Sequence, residues 1–331
     1  MGDVLVRHSA GEGNRNMAKP RIGVIGTGAI GGFYGLMLAR AGYDVHFLLR
    51  SEYAAVQQHG ITVESRVHGE LTLPRVQAYD EVAKMPPCDW LLVGAKSTSN
   101  DALAPIIAQA AAPGARVVLL QNGLNNEAQL RDQLPEHLHL IGGLCYVCLY
   151  RKGPGVVVHQ DNGMIDLAYH SGSAEAPEQQ AIIAEGAAMF REAGLKAREL
   201  DSLDAARWQK LVWNAPFNGV SVVLKAGTQA LLANEASRAL IRELMQEVVG
   251  AAEACGYPMP ESLADKMIAG TARMPDYLPS MYHDWLHKRP MELDNLYGEA
   301  LKLAEAAGYS MPRTESMLNM LTFIQAGYLN E

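Results

Sequence analysis

Between Arg21 and Gly142 the apolar residues fall into short runs parted by longer amphipathic stretches. Runs at Arg21–Ile25, Asp44–Leu49, Trp90–Gly94, Arg116–Leu120 and Leu138–Gly142 read as buried strands, and Gly31–Ala41, Asn100–Ala112 and Asn126–Gln133 as helices or loops. Such alternation implies βαβ crossovers and a parallel sheet covered on both faces. Two further strand-like stretches, Gly155–His159 and Asp166–Tyr169, precede a helix at Pro177–Ala193. Beyond about Leu200 strand signals nearly vanish, and the spacing predicts helices over Asp204–Trp213, Asn234–Cys255, Pro260–Met274 and Met291–Ala307. Asn234 is placed to cap a long helix whose Leu240, Leu244, Val248 and Ala251 share a face, and Gly256 with Pro258 stops it. The expectation is an α/β domain at residues 19–200 followed by a helical domain at residues 201–331. The polar, Gly- and Asn-rich residues 1–18 read as an extension, with Met17 a second possible start beside Met1.

The 331 residues are 49% hydrophobic and 19% charged, enough for full cores in roughly two domains. There are 28 Lys+Arg against 36 Asp+Glu, a formal charge of −8, and no basic cluster, which argues against a nucleic-acid partner. No apolar stretch approaches the ~20 residues that span a bilayer, and the first residues lack the apolar segment of a secretory signal. A cytoplasmic protein with no membrane partner is expected. The four cysteines read as thiols of a reducing compartment.

Gly26-Thr27-Gly28-Ala29-Ile30-Gly31 stands directly after the strand IGVI and before the helix GGFYGLMLARAG. Gly26 allows a tight turn, Gly28 lets backbone approach a pyrophosphate, and Gly31 lets helix and strand pack closely, while the helix N-terminus offers N–H groups to the anion. A dinucleotide cofactor follows. The second strand ends in Arg50, a residue type that accommodates a 2′-phosphate and favours NADP(H), although nearby Glu52 leaves NAD open. Lys96, at the end of DWLLVGAK, is either a surface lysine or a contact in the same crevice.

In RWQKLVWNAPFNGVSVV, Lys210, Asn214 and Asn218 are spaced four apart and share one stripe of a helix that Pro216 would disturb. Buried among Leu211, Val212, Trp213 and Phe217, these polar groups need partners, from either a polar ligand or a domain interface. Further on, PSMYHDWLHKRPMELDNLYG carries Ser280, Asp284, Glu292 and Asp294, with Glu292 just inside a helix predicted to start near Pro290.

The blocks GVIGTGAIGG, LLVGAK, LLQNGLNNE, WQKLVWNAPFN and PSMYHDWLHKRPMELDNLYG, in that order from about Arg21 onward, resemble the ketopantoate reductase (2-dehydropantoate 2-reductase) family over nearly the whole chain. The resemblance implies an N-terminal Rossmann-type dinucleotide-binding domain and an all-helical C-terminal domain of the 6-phosphogluconate dehydrogenase C-terminal type. It also implies NADPH-dependent reduction of a 2-oxo acid in the cleft between them, for pantothenate biosynthesis. By the same resemblance Gly26, Thr27, Gly28, Ala29, Ile30 and Gly31 form the pyrophosphate loop, Arg50 lies near the 2′-phosphate, and Lys96, Asn122 and Glu292 contact the cofactor. Lys210 is implied as the catalytic acid and Glu292 as the acidic residue completing the site. Asn122, Asn214, Asn218 and Ser280 are implied substrate contacts.

Two positions depart from the family pattern: Met291 replaces a usual threonine before the acid, and Thr228 stands where a further asparagine is expected. Either could reshape the pocket, so another small 2-oxo acid stays open as substrate, as does a catalytically silent NADP-binding sensor. A homodimer is possible.

Cys145-Tyr-Val-Cys148 has redox-motif spacing, but in a strand its thiols would point to opposite faces, and His283 with His287 lacks the glutamate of a zinc-protease helix. No metal site is expected.

Overall fold

The computed structural model describes residues 19–330, so the extension expected over residues 1–18 lies outside the described residues. β1 (Arg21–Ile25), α1 (Ala29–Arg40) and β2 (Asp44–Leu48) open the chain. Next come α2 (Tyr53–His59), β3 (Ile61–Ser65), β4 (Gly69–Leu73), β5 (Gln77–Tyr79), β6 (Cys88–Val93), α3 (Asn100–Ala110), β7 (Ala111–Leu119) and α4 (Asn126–Arg131). β8 (His139–Gly153), β9 (Val156–Ser171), α5 (Ala176–Glu192) and β10 (Ala197–Glu199) complete this part.

Six strands stand in the order β5-β2-β1-β6-β7-β8, all parallel. Chain order reverses between β1 and β6, which opens a crevice at their carboxyl ends, the usual place for a ligand in a doubly wound sheet. β9 then runs antiparallel along β8, with β3 and β10 pairing to opposite ends of its far edge and β4 closing on β3. The sheet thereby curls over α1, whose Phe33, Tyr34, Leu36 and Leu38 share a core with Val24, Val63, Ile165 and Phe190. A helix apolar on every side must be covered on every side, and the curled sheet covers it.

The remaining helices are α6 (Leu203–Leu224), α7 (Thr228–Ala233), α8 (Glu235–Ala254), α9 (Leu263–Ala272), α10 (Ser280–Leu286), α11 (Glu299–Ala306) and α12 (Pro312–Leu329), with a π-helical turn at Asp294–Gly298 leading into α11. They enclose their own core around Trp208, Leu211, Phe217, Ile241, Leu244 and Tyr297. Ser202 caps α6 by accepting from Ala205 N, and Asn234 caps α8 by accepting from Ser237 N at 3.1 Å, as its position in the sequence implied.

Three expectations are corrected. The predicted helix Asp204–Trp213 continues to Leu224 and carries Pro216 inside it, because buried contacts along the whole of α6 outweigh one lost backbone bond. Strands expected at Leu138–Gly142, Gly155–His159 and Asp166–Tyr169 are parts of one long hairpin, β8–β9. Glu292 precedes the helix rather than sitting inside its first turn, since helical structure begins at Leu293.

Candidate active site

Gly26 leaves β1 at φ +81°, where an added Cβ would lie 2.3 Å from Ala95 N, so only glycine lets β1 and the end of β6 approach. At Gly31 an added Cβ would lie 2.4 Å from Gly26 O. At Gly28, by contrast, it would meet nothing within 4 Å, so the loop has an open side. Gly28 is the N-cap of α1, and neither a capping side chain nor an acidic residue occupies the first turn formed by Ala29, Ile30 and Gly31. Open backbone N–H groups beside open space fit a dinucleotide's diphosphate. Thr27 ties this loop to β2 by donating to Leu48 O at 3.2 Å. Arg50 follows β2 on the surface, with no side-chain hydrogen bond or ion pair among the described residues.

Across the crevice, α6 presents Lys210. Its Nζ donates to Asn122 Oδ1 at 2.8 Å and to Cys145 O at 2.6 Å, and lies 5.3 Å from the centre of the Tyr146 ring. Burial pulls its pKa down to about 8, Arg207 adds to this, and Asp166 and Glu292 oppose it. Arg207, one turn earlier on α6, is buried, forms a buried ion pair with Glu127 and donates to the carbonyls of Gln121 and Leu119, anchoring the helix at the end of β7. Asn122 follows at once. Its loop is pressed onto the helical side through Gly123, where a Cβ would lie 2.3 Å from Asn295 O, and through Leu124 N donating to Asn295 O at 2.9 Å.

The other polar residues of the stripe divide. Asn214 is 8% exposed, and its side-chain amide makes no hydrogen bond among the described residues. Asn218 is spent on the protein: Nδ2 donates to Asn214 O at 2.8 Å, and Oδ1 accepts from Met281 N at 3.0 Å and, more weakly, from Ser280 Oγ at 3.5 Å. It holds the start of α10, and with it Ser280, against α6.

Glu292 is buried, and its Oε1 accepts from Ser97 N at 3.0 Å and Ser97 Oγ at 2.9 Å. Among the described residues its partners are thus Ser97 and, at 3.8 Å, Lys96 Nζ, while the groups that hydrogen-bond Lys210 are Asn122 and Cys145. Lys96 is no free surface lysine. It meets Asp284 Oδ2 at 2.5 Å, and although burial disfavours its charge, Glu292 and Asp284 outweigh that and raise its pKa.

Sequence reasoning named Asp284 without giving it a role, and passed over Ser97 and the Arg207–Glu127 pair. Arg207 lies three residues before Lys210, on the same helix face, which was the available signal; nothing in the sequence pointed to Glu127 as its partner.

Both departures from the family pattern are absorbed structurally. Met291 packs in the helical core, and Thr228 Oγ1 accepts from Tyr277 N at 3.1 Å while Thr228 N donates to Tyr277 O at 3.0 Å. Cys145 and Cys148 lie on β8 as buried free thiols.

Residues 22–172 match the family described as ketopantoate reductase PanE/ApbA, and residues 202–325 match its C-terminal counterpart. The chain belongs to the ketopantoate reductase family. It is 39% identical over 312 residues to the 2-dehydropantoate 2-reductase of Nostoc sp., covering 93% of this chain and 96% of that one. The crystal structure of the Geobacter metallireducens 2-dehydropantoate 2-reductase superposes with a TM-score of 0.85 at 38% identity, covering 91% of this chain and 99% of that one. That from Methylococcus capsulatus gives 0.80 at 32%, covering 93% and 97%. Like these ketopantoate reductases, the chain joins a Rossmann-type domain to a helical one.

Proposed function

We propose that this chain reduces ketopantoate to (R)-pantoate with NADPH, in the cytoplasm and in the service of pantothenate biosynthesis. The observation that carries the reading is Lys210. It is an ammonium held by two hydrogen bonds, with its pKa brought to about 8, across a crevice from a loop suited to a diphosphate.

Bound NADPH supplies hydride to the substrate's C2 carbonyl carbon. The chain does the rest. Residues 26–31 and Arg50, in the domain at 19–200, hold the diphosphate and 2′-phosphate. Lys210, in the domain at 201–331, donates a hydrogen bond and then its proton to the carbonyl oxygen as negative charge grows there; a pKa of about 8 keeps it charged yet acidic near neutrality. The unspent amide of Asn214 and the free Nδ2 of Asn122 are placed to bind the substrate's polar groups. Asn218 positions Ser280, whose hydroxyl takes the carboxylate. Glu292, with one oxygen on Ser97, keeps the other for a cofactor ribose hydroxyl beside Lys96.

The test is NADPH oxidation with ketopantoate against NADH and a panel of small 2-oxo acids, for the wild type and Lys210→Ala. Turnover that prefers ketopantoate and NADPH and collapses in the variant is expected. Tight NADPH binding without turnover on ketopantoate would sink the substrate assignment.

A further inference from the structure

At the end of β2 an NAD-type site places a carboxylate that accepts from the ribose 2′-hydroxyl, and such a carboxylate repels a 2′-phosphate. This chain has a carboxylate shortly after that point, Glu52, four residues beyond β2 at the start of α2 and two residues after Arg50. It faces inward: its side chain is 9% exposed, Oε2 accepts from Gly155 N at 2.8 Å, and Oε1 pairs with Arg151 Nη1. Arg151 comes from the end of β8, some hundred residues away, and is itself 40% exposed. Glu52 and Arg151 line one small cavity with Thr27, Gly28 and Gly155, which puts the pair against the glycine loop. Thr27 binds that loop to Leu48 O, so loop, strand end and ion pair form one unit.

We infer that Arg151 sets the preference for the phosphorylated dinucleotide by neutralising and holding Glu52, so that Arg50 alone faces the 2′-position. Arg151 is a positioning residue here, acting through Glu52. The inference rests on the NADP reading of the site but concerns a different residue. Without Arg151, Glu52 remains at the site as an unpaired carboxylate beside the ligand's phosphate. The 2′-phosphate is then opposed, while the unphosphorylated ligand is little affected or gains a hydrogen-bond acceptor.

The test is calorimetric binding of adenosine 2′,5′-bisphosphate and of 5′-AMP, with NADPH and NADH alongside, to the full chain and its variants. Arg151→Gln is expected to lower the preference for the 2′-phosphorylated ligand by about tenfold or more, the order expected of a nearby like charge. Glu52→Gln/Arg151→Gln is expected to restore most of it, because the carboxylate is gone. Thermal melts establish that each variant folds. An unchanged preference in Arg151→Gln, equal weakening of both ligands, or a double variant as impaired as the single one would overturn the inference; the last result would make Arg151 a direct phosphate contact. A wild type that binds neither dinucleotide would instead overturn the proposed function.

Discussion

Lys210 Nζ lies 2.8 Å from Asn122 Oδ1, so a hydrogen bond joins α6 to the loop after β7, next to the one that Arg207 gives Gln121 O. The Lys210 ammonium is thus set jointly by the helical core and the sheet. Neither unit contains the site alone.

The pH dependence of reduction follows from that ammonium. Lys210 must carry its proton to act as an acid, and it is charged below its pKa of about 8. The expected kcat/KM for reduction is flat from neutrality to near pH 8 and falls about tenfold per unit above it, while the reverse oxidation rises through the same range. Lys210→Ala should lose about 10²–10⁴-fold in kcat. A flat profile through pH 10 in the wild type would remove Lys210 from the acid role.

Asn122 tunes the same group. Asn122→Ala deletes one of two acceptors for the ammonium, so the basic limb should move about one unit toward lower pH, the scale of a hydrogen bond to a charged group. Asn122→Asp places a carboxylate there and should move the limb the other way. Opposite shifts in the two pH profiles are the check.

Arg207 and Glu127 are both nearly inaccessible, at 4% and 2% exposure. Arg207→Leu strands a buried carboxylate and is expected to cost about 3–5 kcal/mol in urea unfolding. Arg207→Leu/Glu127→Leu should recover much of that, since the uncompensated charge is gone. Equal losses in the single and double variants would show that the carbonyls of Gln121 and Leu119, not the ion pair, carry the effect.

Lys96 offsets two buried carboxylates, Asp284 and Glu292. Burial already raises the pKa of Asp284, and Lys96 works against that rise. In Lys96→Met it should climb further, so the folded state binds a proton that the unfolded chain releases at lower pH. The variant's deficit in stability relative to wild type is therefore expected to grow from pH 5 to pH 8. Thermal melts across that range decide it, and a deficit that shrinks with pH would contradict the assignment.

The parallel strands β1, β2, β6, β7 and the start of β8 were legible because burial makes them short apolar runs, as in IGVI and WLLV, whereas the three-residue edge strands β5 and β10 were not. The hairpin β3–β4 was not: ITVES and GELTL are short, half-exposed pieces, and β9, which anchors the pair through β3, lies some ninety residues on. Helix α12 was missed for a related reason, as few of its residues are buried and its apolar ones form no clean stripe.

By itself the sequence determined what local chemistry enforces. A strand, three spaced glycines and a helix make an anion site from backbone geometry, and a four-residue spacing puts Lys210, Asn214 and Asn218 on one stripe. Which members of that stripe remain free was a tertiary matter. Asn218 meets the backbone of α10 and is consumed there, Asn214 is left with its amide unspent, and Glu292 reaches Ser97 across the crevice. Hydrogen bonds and charges act over a few ångströms of space, and separations of sixty to two hundred residues along the chain carry no trace of which groups will meet at that range.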